Sequence, residues 1–78
     1  MTVEEILAAA YDGPPTRRND QMLRWFRYSH LPERLQLVSA PFGTLAVTLV
    51  EMLDPSAERT VALRKLLESK DAAVRAAL

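Results

Sequence analysis

The chain has 78 residues, 49% of them apolar, with no cysteine, one histidine, and ten Lys+Arg set against ten Asp+Glu. This excludes a disulfide framework, a thiolate metal site and a histidine-rich site within one chain. Balanced charge also excludes bulk electrostatic binding of DNA, although local basic clusters can still hold small anions. A chain this short, lacking disulfides and metal, is expected to gain stability by association. Its apolar fraction argues against disorder. Met1-Thr2-Val3-Glu4-Glu5 lacks the basic start of a secretory leader, and the apolar run Ile6 to Ala10 is too short for its core. No run is read as reaching transmembrane length. With no cysteine and no leader, the expected location is the cytoplasm, with no membrane partner.

Thr2 is placed to cap a short helix whose first turn holds Glu4 and Glu5, where the helix dipole favours negative charge. Ile6, Leu7 and Ala10, joined by Tyr11, form a small apolar face, and Asp12-Gly13-Pro14-Pro15 ends the helix in a turn. Residues 1–12 read as an N-terminal arm too short to stand alone. Next, Asn19 or Asp20 caps a short helix running to about Arg27. Arg17, Arg18, Arg24 and Arg27 make this the most basic region, interleaved with Trp25, Phe26 and Tyr28. That pattern has a plain reading, a solvated surface with aromatics packed inward. It also has a chemical one, guanidiniums for phosphates and rings for bases. His30 stands at a helix entrance, where backbone N–H groups are free, and a histidine bonded to backbone explains it as well as a ligand does. No partner at catalytic spacing accompanies it.

Pro32 fits the first position of a central helix ending at Leu53. Leu35, Val38, Phe42, Leu45, Leu49 and Met52 recur in steps of three and four, marking one face. Leu37, Ala46, Val47, Val50 and Leu53 lie outside it, so the apolar surface is too wide for one chain to cover. Pro41 is expected to kink the helix and leave the Leu37 carbonyl without its donor, among the small residues Ser39, Ala40 and Gly43. A ligand or a second helix can approach there, and a shape-fitting kink explains it equally. Asp54 then caps a last helix with Pro55 in first position and Glu58 strengthening its start, running to about Ala77. Leu63, Leu66, Leu67, Val74 and Ala77 form its inner face, interrupted by Lys70. Arg64 with Glu68, and Asp71 with Arg75, are spaced to pair outside. The tight turn at Asp54-Pro55 makes the two long helices antiparallel. The expected fold is all-α: an antiparallel helical hairpin with a Pro-kinked central helix and a short N-terminal helical arm, oligomeric. Residues 1–18 form the arm and turn, and residues 19–78 the hairpin domain. No Gly-rich phosphate loop, nucleophile elbow or metal-ligand spacing appears, so neither catalytic residues, nor a metal, nor a cofactor is expected.

The run Phe26-Arg27-Tyr28-Ser29-His30-Leu31-Pro32, the helix containing Pro41, and Glu58 to Leu67 ending in Ala73-Val74-Arg75-Ala76 resemble the helical-hairpin domain of phage anti-CBASS and anti-Thoeris proteins. The resemblance covers roughly residues 26–78 and leaves the arm without a counterpart. It implies a phage-encoded sponge in the host cell cytosol that captures cyclic di- or trinucleotide immune signals without cleaving them. It also implies a homo-oligomer, commonly a hexamer built from dimers, with pockets between protomers and no DNA partner. In that family an aromatic at the kinked-helix entrance contacts the dinucleotide, and Tyr28 stands there, with Phe26 beside it in the same run. The family's phosphate-gripping lysine is missing; the corresponding turn is Ser39 to Gly43, with Ser39 a candidate site residue, and another donor, such as His30 or an arginine from a neighbouring chain, would have to replace the lysine. Arg75 matches an arginine that binds trinucleotides, and Arg64 joins the candidates on charge and face alone. The alternative is a helical oligomerisation or protein-interaction module with no small ligand. Nucleic-acid binding through the arginines is the weakest reading.

Overall fold

The computed structural model describes all residues 1–78, beginning with a helix held by its own first turn. Thr2 Oγ1 accepts from the Glu5 amide at 3.1 Å, while Glu5 Oε1 accepts from the Thr2 amide at 3.0 Å. This reciprocal capping box starts α1 (Val3–Ala8). The helix stops short of the expected arm boundary. Tyr11 is not part of its apolar face but exposed, because its backbone is taken by Asn19: Nδ2 donates to the Tyr11 carbonyl at 3.0 Å and Oδ1 accepts from the Tyr11 amide at 3.1 Å. Asp20 caps the next element, accepting from the Met22 amide at 2.9 Å. That element, η1 (Gln21–Phe26), is a 3₁₀ helix.

α2 (Glu33–Met52) follows Pro32, which occupies the cap rather than the first helical position, and the chain stays helical through Pro41. α3 (Ala57–Ala77) is capped by Ser56, whose Oγ accepts from the Arg59 amide at 3.1 Å. Asp54, expected as that cap, instead pairs with Arg17 at 2.7 Å. The four helices are joined without a strand. The pairs expected along α3 are replaced by Lys65–Glu68 at 3.7 Å and Lys70–Asp71 at 3.0 Å.

The core is built from Leu7, Leu23, Phe26, Ala46, Val47, Val50 and Leu63, so every helix contributes. Each large apolar side chain fully withdrawn from water contributes about 1.5–3 kcal/mol. The buried stripe of α2 is Leu35, Ser39, Gly43, Ala46, Val47 and Val50, which corrects the expected seam. Val38, Phe42 and Leu49 lie at its margins, and Leu45 and Met52 face outward. The reason is volume. A β-carbon at Gly43 would lie 3.0 Å from Leu7 Cδ1 and 3.4 Å from the Phe26 carbonyl, so the arm and η1 sit directly on the small-residue side. Leu37, Leu45 and Met52 are left as an exposed apolar face, with Leu37 at 75%. The expectation about span length also needs correction. At 20 residues α2 is long and apolar enough to cross a membrane by length and composition, a test that core helices pass too.

One buried charge joins the elements. Arg59, 2% exposed, spends its guanidinium on the carbonyls of Thr16 (2.8 Å), Leu53 (3.0 Å), Val50 (3.3 Å) and Asn19 (3.5 Å) and on Asp20 Oδ2 (3.2 Å). It thereby fixes the end of α2 and the segment before η1 to the first turns of α3.

Candidate functional site

The entrance segment, η1 and the last turns of α3 enclose a groove of about 560 Å³. η1 supplies Arg24 and Trp25, the turn before α2 supplies Arg27, His30 and Leu31, and α3 supplies Lys70, Asp71, Val74 and Arg75. Four permanent cations thus face one carboxylate. The 3₁₀ turn explains the split of its aromatics. Phe26 turns into the core, while Trp25 stays 60% exposed.

The cations differ in how they are held. Arg24 Nη1 lies 3.0 Å from Asp12, Arg27 Nε lies 3.7 Å from Glu4, and Lys70 Nζ lies 3.0 Å from Asp71. Arg75 belongs to none of the ion pairs in the structure. An exposed guanidinium without a carboxylate keeps its paired N–H groups for a bidentate anion. Indole and guanidinium together suit a ligand with a flat ring and a phosphate.

The structure brings two of the six candidate residues, His30 and Arg75, into this groove. Tyr28 lies next to it in sequence but is half-buried, its ring against α2 at Gly43. Phe26 is wholly buried in the core, and Ser39 is buried with its hydroxyl unpartnered, so neither side chain reaches the surface of the chain. Arg64 lines a different hollow of about 300 Å³, with Gln21 and Thr60. Lys70 was not among the candidates. Its interruption of the apolar face of α3 was the available signal, because one turn before Val74 it points toward the same wall. Glu4 was also missed as a neighbour of the entrance turn, and nothing local in the sequence connects residues 4 and 28.

No family model, no curated protein and no solved structure matches the chain.

Proposed function

We propose that this chain binds cyclic oligonucleotides, di- or trinucleotides, and sequesters them without cleaving them, as a phage anti-defence protein in the host cytosol. The observation supporting this reading is the groove in which an exposed Trp25 stands among Arg24, Arg27, Lys70 and an unpaired Arg75. Cyclic oligonucleotides carry phosphates and flat bases on one ring, which are the two chemistries those side chains recognise. The finer architecture belongs to the same proposal: α2 and α3 form an antiparallel hairpin, kinked at Pro41, which assembles into a homo-oligomer, a hexamer in the resembling family. The exposed face of Leu37, Leu45 and Met52 is the surface that copies would cover.

Calorimetry with a panel of cyclic di- and trinucleotides tests this, followed by heating and recovery of the ligand. Binding with intact recovery is expected. Silence across the panel overturns the proposal, and recovery of a linear product replaces sequestration with hydrolysis. The exposed α2 face also favours a second reading, an oligomerisation or interaction module without a small ligand. Arg75→Ala with Trp25→Ala, both in the groove, separates the two. Under sequestration the assembly survives and nucleotide binding fails, whereas under the module reading only Leu45→Asp has an effect, by dispersing the assembly.

A further inference from the structure

The turn between η1 and α2 holds an anion already, and that anion is the chain's own. The Tyr28 amide donates to Glu4 Oε2 at 3.3 Å, and the Ser29 amide donates to Glu4 Oε1 at 3.4 Å. Arg27 Nε stands 3.7 Å from Oε1. Two successive backbone N–H groups and a guanidinium are donors that a phosphate takes. The niche favours negative charge. Burial opposes ionisation of Glu4, but the Ser29 side chain, the Tyr28 and Ser29 amides and Arg27 outweigh it and hold the carboxyl below the usual glutamate range.

The fit of the carboxylate is loose. Charge-assisted N–H···O bonds settle near about 2.7–2.9 Å, and all three contacts are longer than that. A carboxylate must divide two oxygens among these donors, where a phosphate has more oxygens and more charge. The niche is also reachable: the Glu4 side chain is 23% exposed and that of Arg27 47%. Arg27 also lines the groove, so niche and groove meet at that residue. A second arm carboxylate, Asp12, occupies a second groove cation, Arg24. The arm carrying Glu4 is a six-residue helix with one buried residue, Leu7, and a helix that short does not persist undocked.

We infer that Glu4 is an internal competitor for phosphate: a ligand phosphate displaces its carboxylate from Arg27 Nε and the Tyr28 and Ser29 amides. The identity of the ligand rests on the nucleotide reading above, whereas the niche is a claim about phosphate alone. The test uses inorganic phosphate against chloride at matched ionic strength, with the full chain followed by amide NMR. In Glu4→Gln the Tyr28 and Ser29 signals should move saturably, with an apparent affinity about fivefold tighter than wild type, the scale of one exposed ion pair. Glu5→Gln, which removes the neighbouring acid, should match wild type. Adding Arg27→Gln to Glu4→Gln should abolish the response. Unmoved signals in Glu4→Gln overturn the inference, as does a response that survives loss of Arg27. Phosphate binding at the niche with no binding across the cyclic-nucleotide panel leaves the inference standing and removes the nucleotide reading. The converse result removes only the inference.

Discussion

Two arginines on α3 show how one helix divides its labour. Arg59, near its start, is buried and surrounded by acceptors from two other segments, the one before η1 and the end of α2. Arg75, near its end, lines an open groove and pairs with no carboxylate. Withdrawing a charge from water costs several kcal/mol, so it persists only where acceptors replace the lost hydration. Arg59 therefore has nothing left to offer a ligand. Arg75 is solvated in the free chain and contributes little to folding, which leaves its hydrogen bonds for recognition. The same residue type is architecture at one end and, in the function proposed above, a recognition group at the other, and the number of internal acceptors separates the two.

The largest effect that could break this division is expected from Arg59→Met. Removing the guanidinium strands a buried Asp20 carboxylate and several carbonyls, and breaking a buried pair on one side costs about 3–5 kcal/mol. Urea unfolding should show a loss on that scale, and a loss below about 1 kcal/mol would mean that the cluster is ornamental. Arg59→Lys sharpens the point, because one ammonium cannot serve acceptors on both branches of the fork.

Next in size is Trp25→Ala combined with Arg75→Ala. Stacking of a base on an aromatic is worth about 1–3 kcal/mol, so nucleotide affinity should fall about tenfold or more, while the unfolding midpoint stays near wild type, as for other surface changes. A variant that unfolded would make this end structural and erase the contrast. Gly43→Ala is expected to be smaller. A β-carbon there meets Leu7 at 3.0 Å and Tyr28 at 3.3 Å, and overpacking of about 1–3 kcal/mol is offset by about 1 kcal/mol of helix propensity. A modest drop in Tm is expected, concentrated in the docking of α1. The smallest effect is acid sensitivity. The Glu4 carboxyl sits below its usual range when folded, so its contribution is complete above the unfolded glutamate value and fades as pH falls through the lower folded value. Glu4→Gln should flatten that part of the stability profile, and an unchanged profile would show that the Glu4 contact is thermodynamically silent.

Much of this was legible because its causes are local. The Thr2 cap acts within a single turn, and its side chain and position announce it, while the next cap narrows to Asn19 or Asp20, of which Asp20 is the cap. The cap of α3 is Ser56 rather than Asp54, which is held instead in an ion pair by Arg17, a contact from a distant segment. The buried face of α2 was misjudged because hydrophobicity marks where large side chains occur, while Leu7 of the arm docks where one is lacking, at Gly43. The groove was half legible. Arg24, Trp25 and Arg27 are adjacent in sequence, but Lys70 and Arg75 join them only through tertiary packing. Arg59 was illegible for the same reason, since Asp20 lies 39 residues away.

The double bond between Asn19 and the Tyr11 backbone has a practical consequence. It staples both ends of the segment between them, while Thr16 and Arg17 inside it are tied to Arg59 and Asp54, so the exposed stretch 13–15 is the part left free to lengthen. Doubling the length of such a loop costs only about 0.6 kcal/mol. A fluorophore-bearing insertion after Gly13 would thus ride outside the core, beside an Asp12 carboxylate that touches Arg24, and would signal by its brightness when the groove fills.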